Sequence, residues 1–235
     1  LAWLGAVFLG GRNRLVVARR LYLVNKRTEV RCRGARFGEG GTGVKIRCQW
    51  PKSDLMIEYH DRDWGVPIHD DPKLFELLTL EGAQAGLSWE TVLRKREGYR
   101  AAFDHFDVEK VASYGLERIE ELLQNPGIIR NRRKIEATVG NAGAFLAIQQ
   151  EFGAFDGYVW RFVGGKPVDN SRQDLAEVPA TTPLSDELSA DLKRRGFKFV
   201  GSTICYSFLQ SAGLVNDHTV YCFRNREIAG LPGLG

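Results

Sequence analysis

LLQNPGIIRNRRKIEA, residues 122–137, joins two helical patterns through a turn that carries Asn125, Pro126 and Gly127. The apolar Ile128 and Ile129 follow the turn, and the second helix opens with Arg130, Arg132, Arg133 and Lys134. A helix, a tight turn and a basic second helix form a helix-hairpin-helix pattern. In such a turn, backbone N–H groups and a helix N-terminus can hold a phosphate oxygen without reading sequence. A plain hairpin with a solvated basic face fits the same residues.

The helical pattern extends in both directions. Asp71 as N-cap and Pro72 in the first turn precede LFELLTLEGAQAG, and Ser88 caps WETVLRKREGYRAAF, where Trp89, Val92, Leu93 and Tyr99 recur at helical steps. Short helices are expected over residues 108–114 and 116–124. A longer one runs through RKIEATVGNAGAFLAIQQEF, and another through FDGYVWRFV, with Asp156 as its cap. Residues 164–182 read as loop. SDELSADLKRRG and STICYSFLQSAGL are the last helices, and KFV, residues 198–200, is the single plausible strand. The class is all-α.

Charge divides unevenly. Residues 1–47 hold eleven Lys or Arg against Glu29 and Glu39, a net of +9, which leaves −5 for residues 48–235. The chain's overall +4 is therefore no argument for nucleic-acid binding, and any such claim must rest on local basic clusters. Four cysteines in 235 residues do not make the dense framework of a small secreted scaffold. No apolar run is long enough to span a membrane. We expect three parts: a basic, disordered leader or extension over 1–46, ending in GARFGEGGTG; a globular domain over 47–224; and a short flexible tail over 225–235. An Arg-rich, acid-poor leader also fits an organellar transit peptide.

Two constellations could carry chemistry. Cys48 and His60 lie near the start of the domain, and His218 and Cys222 near its end, the latter four residues apart and on one face if helical. Cys2His2 is a common closed set for a structural metal, although the spacing is not that of a zinc finger, and four unrelated packing residues are the alternative. The second constellation is Trp50, Tyr59, Trp64, Glu81 and Trp89. Glu81 falls in apolar LTLEGAQAGLSW, where a buried carboxylate costs several kcal/mol unless paired. A ligand with N–H donors, such as a cationic amino-purine edge, would supply the pairing, and the rings would stack on it. Alternatively, Glu81 points to water and the aromatics are core.

RCQW, EYHDRDWGVP, LFELLTLEGAQAGLSWETVLRKR, NPGIIRNRRKI, LKRRGFKFVGSTICYSFLQSAGLVNDH and the His218-to-Cys222 spacing closely resemble the 3-methyladenine DNA glycosylase I family, from about Arg47 to Cys222. The resemblance implies a helix-hairpin-helix glycosylase fold. Its activity would be hydrolysis of the N-glycosidic bond of 3-methyladenine in alkylated double-stranded DNA, leaving an abasic site without cutting the strand. It implies Zn2+ on Cys48, His60, His218 and Cys222, joining the two ends of the domain. Tyr59 and Glu81 would be pocket residues with Trp89 stacking, Glu81 would be the catalytic group, and Trp50 and Trp64 would line or support the pocket. Gly127, Ile128, Arg130, Arg132 and Lys134 would meet DNA, with Leu87 as the wedge that enters the gap left by the extruded base. The expected state is a monomer in a bacterial cytoplasm, with no membrane partner.

Overall fold

A computed structural model describes residues 45–231. The leader expected over 1–46 lies outside the described residues except for Lys45 and Ile46. Those two already engage the domain, since the Ile46 carbonyl accepts from the Phe223 amide at 2.9 Å and the Lys45 ammonium sits 4.4 Å from the centre of the Phe223 ring.

Eleven α-helices are described: α1 (Asp54–Arg62), α2 (Asp71–Gln84), α3 (Trp89–Leu93), α4 (Arg96–Ala102), α5 (Val108–Ala112), α6 (Leu116–Gln124), α7 (Arg132–Phe152), α8 (Phe155–Trp160), α9 (Pro183–Arg194), α10 (Ser202–Ser211) and α11 (Phe223–Ala229). α2 is the axis of the core. Every residue from Leu74 to Ala83 is buried, as expected of a helix that neighbours surround on all sides. α3, α7, α8 and α10 pack on it. Phe75, Phe145 and Phe155 bring α2, α7 and α8 together, with ring centres 5.3 and 4.0 Å apart.

α6 and α7 form the expected hairpin. Its turn rests on α4, where a Cβ on Gly98 would lie 2.2 Å from the Gly127 carbonyl oxygen, so only glycine admits this contact. The pattern read as one helix over 89–103 breaks between α3 and α4, at Arg94 and Lys95.

Several local expectations give way to tertiary contacts. Asp70, not Asp71, caps α2. Asp71 instead accepts from the amides of Phe155 and Asp156, at 2.8 Å each, and from Gln149 Nε2 at 2.7 Å, so it serves α8 from across the core. Asp156 is consequently not the cap of α8; its carboxylate faces His69 Nδ1 at 2.8 Å. KFV is not a strand. Asn141 clamps the Lys198 carbonyl and amide, and Phe199 sits at φ +54°. The two strands that do form, β1 (Val168–Asp169) and β2 (Val215–Asn216), pair in parallel and pin the 164–182 loop to the segment after α10. The tail expected to be flexible from 225 instead forms most of α11, because Asn225 and Ile228 are buried.

Candidate active site

α1 begins where the Ser53 side chain accepts from the Met56 amide, and it presents two buried neighbours, Tyr59 and His60, to two different sites. Tyr59 faces a cavity of about 230 Å3, a little below the roughly 300–1,000 Å3 of pockets for drug-sized ligands. Trp50 and Trp64 flank α1 and line the same cavity. Glu81 and Gln84 reach it from the last turn of α2, and Trp89 from the start of α3. The rings pack edge to face or tilted: Trp50 lies 5.1 Å from Trp64, and Tyr59 lies 5.3 Å from Trp89. All five residues expected from the sequence thus share one cavity.

Met56, Gln84, Leu175, Val178, Ser207 and Gln210 complete the wall and were not anticipated. Gln84 stands three residues after Glu81, and Ser207 and Gln210 repeat the same step on α10, so one polar stripe on each helix was the available signal. Leu175 and Val178, also three residues apart, come from a short 3-10 turn at Leu175–Glu177 inside the 164–182 stretch that the sequence reads as loop.

The polar chemistry of this cavity is unfinished within the chain. Buried polar atoms ordinarily have hydrogen-bond partners. Among the described residues five buried side-chain atoms have none, and four of them belong to the cavity: Trp50 Nε1, Tyr59 Oη, Glu81 Oε2 and Trp89 Nε1. Each such group costs roughly 1–3 kcal/mol when left unpaired. Glu81 is only 3 % exposed. Burial pushes its carboxyl up to about 8, with the nearby Ser211 hydroxyl pulling the other way. Tyr59 is likewise held well above its usual range, first by burial and then by Glu81 itself.

His60 faces the second site. Cys48, His60, His218 and Cys222 are all buried, with ligand atoms within 4.8 Å of one another, and the group could hold a metal ion. Cys222 Sγ lies 3.5 Å from His60 Nε2 and 3.6 Å from His218 Nδ1, and Cys48 Sγ lies 3.6 Å from His218 Nδ1. The remaining ring nitrogens point outward to partners of the kind that orient ligating histidines. His60 Nδ1 meets Asp61 Oδ1 at 2.8 Å, and Arg47 holds that carboxylate in turn. His218 Nε2 meets the Trp64 carbonyl at 3.1 Å. These bonds leave His60 Nε2 and His218 Nδ1 as lone pairs facing the two sulfurs. The adjacent Cys222 sulfur and then burial push the Cys48 thiol up, while the hydrogen bond from Cys48 pulls Cys222 down. The two sites touch, because the Trp64 ring lines the cavity and packs 4.5 Å from the His218 ring.

The residues expected to meet DNA separate into two groups. Arg130 and Arg132 are exposed, and Leu87, 41 % exposed, stands in the loop between α2 and α3. Arg132 pairs with Glu120 at 2.6 Å and Glu136 at 3.6 Å, surface contacts that cost little to exchange. Ile128, by contrast, is 2 % exposed and belongs to the core. The turn's amides also face inward: that of Gly127 donates to Asn125 Oδ1 at 2.8 Å, and that of Ile129 to Tyr99 Oη at 3.3 Å. Lys134 is half-buried, with its ammonium on the carbonyls of Ala83 and Ala85. The outward donors of the hairpin are therefore the arginines and the start of α7.

Residues 49–225 match the family model described as methyladenine glycosylase. The DNA-3-methyladenine glycosylase 1 of Escherichia coli (strain K12) is 55% identical over 177 residues, 75% of this chain and 95% of that protein. A crystal structure of 3-methyladenine DNA glycosylase I superposes with a TM-score of 0.74 at 54% identity, over 76% of this chain and 98% of that one. A crystal structure of a point variant of 3-methyladenine DNA glycosylase I in complex with 3-methyladenine superposes with a TM-score of 0.73 at 40% identity, over 74% of this chain and 94% of that one. In sequence, in matched length and in fold, the chain belongs to the methyladenine glycosylase family.

Proposed function

We infer that this protein excises 3-methyladenine from alkylated double-stranded DNA, hydrolysing the N-glycosidic bond and leaving an abasic site with the strand intact. The observation that carries the reading is the set of four unpaired polar atoms carried by side chains, Glu81 among them, that line one aromatic-walled cavity. A buried carboxyl raised to about 8 is protonated at neutral pH while the cavity holds no cation. A cationic base beside it favours the carboxylate, so charge on the lesion and charge on Glu81 stabilise each other. Neutral adenine offers no such compensation.

N3-methylation also activates the base as a leaving group, since it departs neutral. What the chain must add is extraction, orientation and stabilisation of an oxocarbenium-like sugar until water attacks. A damaged, weakly stacked base is cheaper to extrude, which itself favours the lesion. In this reading Glu81 accepts from the base edge and is the catalytic group, Trp89 stacks, Tyr59 fixes orientation, and Trp50 and Trp64 close the cavity. Leu87 enters the vacated gap, and Arg130, Arg132 and the start of α7 grip the backbone of a duplex bound by a single copy of the chain.

Zn2+ is the metal proposed for Cys48, His60, His218 and Cys222. A tetrahedral ion with the usual Zn–S and Zn–N lengths has S···N edges of about 3.6 Å, and the three observed separations of 3.5–3.6 Å agree. Four protein donors complete such a shell, so the ion's contribution is to cross-link the two ends of the domain.

Incubating the purified chain with methylated duplex and identifying released bases by chromatography tests the reading. Free 3-methyladenine is the expected product, and Glu81→Ala abolishes its release in protein that remains folded. Binding to alkylated duplex without release, even with enzyme in excess, would leave a DNA-binding module and overturn the enzyme. Borohydride trapping of an enzyme–DNA adduct would overturn the intact-strand product.

A further inference from the structure

Lys134 stands in the first turn of α7, on the hairpin, yet its ammonium turns inward. Nζ donates to the carbonyls of Ala83 and Ala85 at 2.7 Å each. Those carbonyls end α2, a helix with no basic residue in its own last turn, so a cation borrowed from another helix meets the negative end of its dipole. The chain then runs through Gly86, at φ +78° with open space where a Cβ would stand, to Leu87 and the α3 cap Ser88. Cavity walls flank this loop on both sides, Glu81 and Gln84 before it and Trp89 after it.

We propose that Lys134 is a positioning residue: its ammonium fastens the 85–88 loop to the hairpin helix, so that the grip of α7 on the DNA backbone sets the place of Leu87 and of the adjoining cavity walls. This rests on the glycosylase reading and replaces the direct phosphate contact expected of Lys134. Two of its three N–H groups are committed, one to the last turn of α2 and one to the loop. The hairpin and the cavity are thereby one mechanical unit, in which Lys134 adds to the direct packing of α7 on α2 a tie from α7 to the loop that leads to Trp89.

Full-length wild type, Lys134→Met and Lys134→Gln should be compared on methylated duplex. Three quantities decide: single-turnover base release at saturating enzyme, the slope of log affinity against log salt, and quenching of tryptophan fluorescence by free 3-methyladenine. The expected result is a loss of roughly ten- to a hundredfold in single-turnover release for Lys134→Met, the scale of a misplaced reacting group. Its salt slope stays that of wild type, while its response to free base weakens because the cavity walls lose their tie. Lys134→Gln, which can still donate to a carbonyl, recovers part of the rate; should Lys134→Met not fold, the same readouts on Lys134→Gln decide. A salt slope shallower by about 0.9, with the release rate unchanged, is the signature of one lost phosphate contact and overturns the proposal. Unchanged release in both variants also overturns it. A wild type that releases no base overturns the glycosylase reading, and this inference with it.

Discussion

Glu81 gives the cavity a pH signature that is separable from catalysis. Unfolded, its carboxyl titrates near 4.3; folded, burial raises it to about 8. Between those values the folded state holds one proton more than the unfolded state, so stability falls as pH climbs through the window and levels off above it. Glu81→Gln removes this dependence. The variant is expected to match wild type in urea unfolding at about pH 4 and to exceed it at about pH 9, by roughly 3–5 kcal/mol for the full shift, while losing base release at both. A gap that does not widen with pH would place the carboxyl in contact with solvent. Glu81 was legible in the sequence because an acid inside LTLEGAQAGLSW demands a partner. The raised Tyr59 hydroxyl beside it was not legible as unpaired, since hydrogen bonding belongs to the assembled fold.

At the scale of elements, the hairpin shows what periodicity reveals and what it conceals. α6, the turn and α7 follow from Pro126, Gly127 and the flanking apolar steps, and they stand where those residues put them. The use of each side chain does not follow. Ile128 faces the core and Lys134 serves α2, because both answer to helices distant in sequence. The same cause displaced Asp71 from its own helix to α8 and left KFV without a strand partner. Gly98 offers the sharpest test of the hairpin's seat. Gly98→Ala puts a methyl 2.2 Å from the Gly127 carbonyl oxygen, so the turn must lift away from α4. Overpacking of this kind costs about 1–3 kcal/mol or more, and the thermal midpoint should fall with duplex affinity while free 3-methyladenine still binds. Unimpaired duplex binding would show that the turn's position does not matter for the grip.

For the molecule as a whole, the proposed zinc clasp decides which parts can part company. Cys48 and His218 are 170 residues apart in sequence, and the ordinary loops of the domain lie between them. Cys48→Ser, or removal of zinc by a chelator, is expected to lower stability by at least ~3 kcal/mol. Because Trp64 is shared with the cavity, it should also weaken binding of free base; turnover per folded molecule falls less. Elemental analysis showing no zinc in the purified wild type would count against the clasp. The Cys48, His60, His218 and Cys222 group was readable as residue types at two ends of a domain, whereas Leu175 and Val178 were not readable as cavity wall, because the β1–β2 pairing that brings their loop over the site is only two residues long. The unanswered atoms of Trp50, Tyr59, Glu81 and Trp89 bear finally on how the cycle closes. On the proposed reading their partners are on the base rather than the sugar: the attraction between carboxylate and cation ends when the base departs neutral, but ring stacking and hydrogen bonds to the purine edge outlast scission of the bond. The spent purine then leaves late, and progress curves under excess DNA should flatten early and flatten sooner when 3-methyladenine is added at the outset, as in product inhibition.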